Sequence, residues 1–101
     1  MLLELRRGVI VIAVLSQLKE EQYGYSLLKR LSDQDMEIDQ GTLYPLLRRL
    51  ESQGLLQSDW RIVEEARPRR YYVISKQGRE VLTQLKRAWS GMVTTMQKML
   101  S

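Results

Sequence analysis

Neither cysteine nor histidine occurs anywhere in the 101 residues. Without thiols there can be no disulfide. Without thiols and imidazoles the chain also lacks the commonest soft metal ligands, nucleophiles and general bases. No metal, cofactor or enzymatic activity is therefore expected. The remaining acids, such as Glu64-Glu65, fall in what reads as a loop tip rather than a cleft. Long apolar runs are missing as well. The longest, Val9-Ile10-Val11-Ile12-Ala13-Val14-Leu15, is closed by Lys19-Glu20-Glu21 and falls far short of the ~20 residues a bilayer span needs. Arg6-Arg7 precede it, but no small-x-small cleavage site follows, so neither a signal peptide nor a membrane partner is read there. A reducing cytoplasm fits a chain without cysteine, although that absence is only permissive. The length allows one modest domain, of a size that often leans on a partner for stability.

What is scarce in the second half is negative charge. Residues 1–40 carry five basic side chains against seven acidic, whereas residues 41–101 carry eleven against five. The overall +4 thus hides a strongly positive half, as an anionic partner would require.

That half opens on an amphipathic stretch. At 100° per residue, Leu43, Leu46, Leu47 and Leu50 form one apolar stripe, while Gly41, Tyr44, Pro45, Arg48 and Ser52 point away, with Thr42 and Arg49 on the flank. Asp39 suits the N-cap. Gly54 suits C′, which sets Leu50 against Leu55 as the hydrophobic pair of a Schellman stop. A solvated helix would carry Glu and Lys in i, i+4 pairs. A small residue, a phenol, a proline and two arginines suit a surface laid against something anionic and hydrogen-bonding. The bland alternative is a surface helix with two stray arginines. Pro45 falls in or near the first turn, and a slight kink is expected if the helix begins at Asp39.

The rest of the chain supports the first choice. A first helix is expected over residues 4–20. Val9, Ile10, Val11 and Val14 occupy four quadrants of its wheel, so it must be covered on all sides, and a second subunit is the natural cover. A short helix follows around Tyr23–Leu31, with Leu27, Leu28 and Leu31 inward. Tyr23 reads as packing, while Tyr25 stays open between packing and a phosphate contact. Residues 32–39 form an acidic turn. Residues 56–63 and the alternating Tyr71-Tyr72-Val73-Ile74 make a β-hairpin. Its charged tip carries Arg67, Arg69 and Arg70 around Pro68, and arginine forks grip phosphates or enter a minor groove; a solvated tip partly neutralised by Glu64 and Glu65 is the plain alternative. Ser75 caps a last helix reaching about Leu100, in which Leu82, Leu85, Trp89, Met92, Met96 and Met99 are spaced 3, 4, 3, 4, 3 as an a/d seam. Some 25 residues at ~1.5 Å each are longer than the domain needs for its own core. A homodimer follows.

Tyr23-Gly24-Tyr25, then Gly41-Thr42-Leu43-Tyr44-Pro45-Leu46-Leu47-Arg48-Arg49-Leu50-Glu51, then Gly54-Leu55, Arg70-Tyr71-Tyr72 and Gly78, in this order and spacing, resemble the PadR family of bacterial transcriptional regulators. The resemblance covers about residues 8–90. It implies a mainly α fold with a small β-hairpin. A winged helix-turn-helix DNA-binding domain would span residues 1–74, with recognition helix about 40–53 and wing about 56–74. A long C-terminal dimerisation helix (75–101) would pack with the first helix in the same compact unit. The chain departs from many family wings in having Ala66 and Pro68 where a glycine is common.

The function expected is a dimeric, sequence-specific repressor on a pseudo-palindromic duplex. Arg48 and Arg49 are candidates for phosphate or guanine, and Gln40, Thr42, Tyr44 and Pro45 for contacts along the start of the helix. Arg67, Arg69 and Arg70 are candidates for the flanking backbone. Trp89 stands where a multidrug-binding branch of the family carries a drug-sandwiching tryptophan. This resemblance implies a small aromatic or lipophilic effector held by Trp89, Met92, Met96, Val9 and Ala13, against the simpler reading of an adaptable dimer core. The rival from another class is a winged helix used only as a protein-interaction module, which would want an apolar face where Arg48 and Arg49 stand.

Overall fold

The computed structural model of the chain describes residues 2–62 and 67–101, with side chains from residue 7 onward. The elements run α1 (Leu2–Gln17), β1 (Gln22–Tyr23), α2 (Gly24–Ser32), α3 (Gln40–Ser52), β2 (Leu56–Arg61), β3 (Arg69–Ile74) and α4 (Lys76–Leu100). Helices α2 and α3 are the helix-turn-helix pair, and β2 with β3 is the wing.

Leucine fills the core. Leu15 and Leu18 of the first segment, Leu27 and Leu31 of α2, and Leu43, Leu46, Leu47 and Leu50 of α3 are all buried, together with Tyr72 and Ile74 of β3 and Leu82 of α4. The four leucines of α3 are the stripe its periodicity requires. Its ends follow from named side chains. The Thr42 N–H donates to Asp39 Oδ1 at 2.7 Å. At the other end the Leu55 N–H reaches the Leu50 carbonyl and the Gly54 N–H reaches that of Glu51, both at 2.9 Å. Gly54 sits at φ +81°. This is the Schellman stop. Pro45 lies inside the helix, past its first turn, and has no N–H to give the Gly41 carbonyl four residues back.

Three boundaries differ from the sequence reading. First, α1 ends at Gln17 rather than near residue 20, because the Leu18 carbonyl is taken by the Ile74 N–H at 2.8 Å. Second, the sheet has three antiparallel strands in the order β1-β3-β2, not two. Gln22 pairs with Tyr72 and Tyr23 with Tyr71, a strand of two residues that is too short to announce itself by alternation. Third, β3 begins at Arg69, with Arg61 opposite Arg69 and Trp60 opposite Arg70. Arg69 and Arg70 are thus strand residues and not part of the tip. Glu64, Glu65 and Ala66, invoked above for the tip's charge and shape, lie outside the described residues.

The wing returns the chain to where α3 ended. The Ser75 N–H donates to the Leu55 carbonyl at 3.0 Å. The Ser75 hydroxyl donates to the Gly54 carbonyl at 2.6 Å and accepts from the Gly78 N–H at 2.9 Å, capping α4. Gly78 must be glycine here, since a Cβ would lie 2.1 Å from the Leu55 carbonyl oxygen. Beyond that joint α4 leaves the core. Trp89, Met92, Met96, Met99 and Leu100 are 43–78% exposed, and the molecule is 56 Å long but only 26 × 19 Å across. On α1, Val14 and Ile10 are buried within the chain, whereas Val9, Val11, Ile12 and Ala13 are only half-buried. No helix among the described residues is long and apolar enough to cross a membrane.

Candidate nucleic-acid interface

The outward crest of α3 carries Gln40, Thr42, Pro45, Arg48 and Arg49, all exposed. Arg48 and Arg49 make no ion pair or side-chain hydrogen bond among the described residues. The helix divides its cations between two grooves. Arg48 and Tyr44 face the wing across a hollow of about 370 Å³ that Tyr23, Tyr25, Trp60, Arg69 and Arg70 also line. Arg49, Thr42 and Pro45 face α1, where Arg7, Ile10 and Val11 complete a second hollow of about 570 Å³.

Tyr44 is half-buried. Its ring lies on Gly24, where a Cβ would come within 2.6 Å of Cε1 and 2.9 Å of Cζ. Burial raises its phenol pKa above the ordinary value, and nearby Tyr23 adds to the rise. The group stays protonated at neutral pH and can donate a hydrogen bond to an anion. Gly24 is therefore part of the site, since it lets α2 and α3 approach closely enough to seat this ring.

The wing arginines have three different fates. Arg67 is exposed at the tip with no ion pair among the described residues. Arg69 lies over the Tyr23 ring at 4.4 Å; that ring meets Tyr71 edge-on at 5.5 Å. The cation–π contact orients this guanidinium without neutralising it. Arg70 is engaged internally. Its Nη2 donates to Glu51 Oε1 and its Nε to the Ser58 hydroxyl at 3.0 Å, while that hydroxyl donates to Glu51 Oε2. The Arg70 guanidinium is thus already spoken for. A fourth, Arg61, is clamped by both oxygens of Glu21 and by Asp59 at 3.1 Å. These partners keep its guanidinium firmly charged.

The residues expected to hold an effector are not gathered in the single chain. Trp89, Met92 and Met96 line an open apolar hollow of about 590 Å³ with Val93, Gln97 and Leu100. Val9 and Ala13 of α1 are half-buried and do not line it. Among the described residues no group of three or more Asp or Glu side chains is placed to hold a metal ion.

Sequence reasoning missed Trp60, 63% exposed on the groove face of β2, and Glu51. The signal for both was present. Trp60 is aromatic in a strand otherwise polar on its open side, and Glu51 is the lone acid in the last turn of an otherwise basic helix.

Residues 11–84, most of the chain, match the transcriptional regulator PadR-like family. The curated relatives include Transcriptional regulator Rv3488 of Mycobacterium tuberculosis, 38% identical over 86 residues that make up 84% of this chain and 79% of that protein. Among solved structures, a PadR family transcriptional regulator from Eggerthella lenta superposes with a TM-score of 0.93 at 48% identity, over 100% of this chain and 89% of its own. A PadR-like regulator from Bacillus cereus superposes with a TM-score of 0.85 at 29% identity, over 97% of each chain. These relatives are transcriptional regulators. The chain belongs to the PadR-like family of transcriptional regulators.

Proposed function

We propose that the protein acts as a homodimeric, sequence-specific repressor in the cytoplasm, each α3 lying in a major groove of a pseudo-palindromic operator. The observation that carries the reading is the pair of exposed guanidiniums on α3, Arg48 and Arg49, left without carboxylate partners among the described residues. Cations kept free on a helix crest suit phosphate oxygens or the O6/N7 edge of guanine. Arg67 and Arg69 extend the cationic strip to the flanking backbone. Gln40, Thr42, Tyr44 and Pro45 meet the duplex along the start of the helix.

Residues 1–74 are the reading unit in this proposal and residues 75–101 the dimerisation helix. Five large apolar side chains on distal α4 are 43–78% exposed. Covering them is worth about 1 kcal/mol each at such exposure, so on the order of 10 kcal/mol for two copies, which is comparable with the cost of association. The half-buried Val9 and Ala13 of α1 would complete the interface. A small aromatic or lipophilic effector, if one acts, enters there between Trp89, Met92 and Met96 and releases the DNA.

Selecting bound sites from random duplexes tests the DNA reading and supplies the operator. With four free arginines per subunit, the slope of log K against log[salt] should be roughly −0.9 × 8, near −7. Arg48→Ala with Arg49→Ala should abolish binding and leave the dimer intact. Unchanged DNA binding by that variant would favour a protein-interaction module instead. Quenching of Trp89 fluorescence by planar aromatic compounds, measured with Trp60→Phe to remove the second indole, tests the effector.

A further inference from the structure

Glu51 is an acid in the last turn of α3, one turn past Leu47 and beside Arg48. On charge alone it opposes a polyanion. Its carboxylate nevertheless accepts from Arg70 Nη2 at one oxygen and from Ser58 at the other, and Ser58 in turn accepts from Arg70 Nε at 3.0 Å. The three side chains close a triangle between the last turn of α3 and both strands of the wing. Glu51 and Arg70 are 26% and 32% exposed at the side chain, so this pair is screened less than a surface ion pair.

Two other ties hold the outer wing. The backbone of β1 pairs only with Tyr72 and Tyr71, and the ring of its Tyr23 lies under the Arg69 guanidinium. The other clamp, Arg61 with Glu21, has its arginine 44% exposed. The triangle stands beside the hollow that separates Arg48 from Arg69, and Arg70 lines that hollow.

We propose that Glu51 is a positioning residue of the DNA-binding surface. Through Arg70 and Ser58 it sets the opening between α3 and the wing, so that Arg67 and Arg69 meet the flanking backbone when Arg48 and Arg49 are seated. The proposal rests on the DNA-binding reading above. It also makes a prediction of opposite sign to simple electrostatics: deleting this negative charge weakens binding instead of strengthening it.

The experiment titrates a fluorescent duplex, recovered by site selection with the parent dimer, against the parent, Glu51→Ala, Arg67→Ala/Arg69→Ala and the triple variant across a salt series. Glu51→Ala should bind about tenfold more weakly, with the salt slope reduced from about −7 toward about −4 as the four wing contacts of the dimer are lost. The two wing substitutions should weaken the parent strongly and add almost nothing to Glu51→Ala, a non-additivity that loss of stability alone does not produce. Ser58→Ala, neutral in charge and small, should give a few-fold loss in the same direction, and it carries the test if Glu51→Ala does not fold. Glu51→Ala or Ser58→Ala binding as tightly as the parent, or the wing substitutions costing the same in both backgrounds, would overturn the positioning role alone. A parent that binds no duplex would overturn the DNA reading and this proposal together.

Discussion

Helix α3 and the distal half of α4 are both amphipathic, and both carry their apolar residues at three- and four-residue spacing. In α3 the stripe of Leu43, Leu46, Leu47 and Leu50 is buried by the chain's own α1, α2 and sheet. In α4 the stripe is buried at Leu82, half-covered at Leu85, and exposed from Trp89 onward. Periodicity announces that a face will be covered without saying by what. The answer lies in reach: α3 ends at a glycine stop beside the core, whereas α4 runs on for turns after the core has ended.

Substitutions on either side of that divide should behave differently. The largest effect is expected at its near edge. Gly78→Ala places a methyl against the Leu55 carbonyl, which is backbone and cannot swing aside. It should cost about 3 kcal/mol in urea unfolding at every protein concentration. Beyond the divide, Met92→Glu with Met96→Glu should leave the fold of one chain intact but raise the dimer dissociation constant roughly a hundredfold, because each charge would be buried in the interface; sedimentation over a concentration series reads this. If instead the double variant unfolds as a monomer, distal α4 belongs to the same core as α3 and the contrast disappears.

On the face formed by α3 and the wing the changes are smaller. Gly24→Ala pushes the Tyr44 ring out of its seat. The ring is the far end of a flexible side chain, so unfolding should change by less than ~1 kcal/mol while DNA affinity falls about threefold to tenfold. Smallest of all is a dependence at high pH. Burial raises the phenols of Tyr72 and Tyr44, so the folded chain keeps protons that the unfolded chain loses from about pH 10. Stability is therefore present below that value and declines as pH rises through the raised folded pKa. Tyr72→Phe should flatten the decline in a pH series of urea titrations.

How much of this was legible beforehand varied with the length of the signal. Four helices and the wing announce themselves through stripes of leucine, an Asp39 cap, a Gly54 stop and a Tyr-Tyr-Val-Ile alternation. The two-residue β1 gives no pattern, because a strand of that length is defined only by its partner. Counting wing arginines also worked only in part. Arg67, Arg69 and Arg70 look equivalent in sequence, yet alternation along β3 sends Arg70 toward Glu51 and Arg69 toward Tyr23. Which cation stays free depends on which carboxylate a neighbouring element brings to it, here Glu51 of α3, and spacing within one strand does not contain that.

The Ser75 joint has one more implication. The hydroxyl that starts α4 is hydrogen-bonded to the residue that stops α3, and Gly78 closes the gap with no spare atom between them. The start of α4 is thereby fixed to the end of α3 at this joint. On the proposed dimer, this joint leaves little slack between α3 and the paired helices, so lengthening an operator's spacer by half a helical turn should weaken binding sharply.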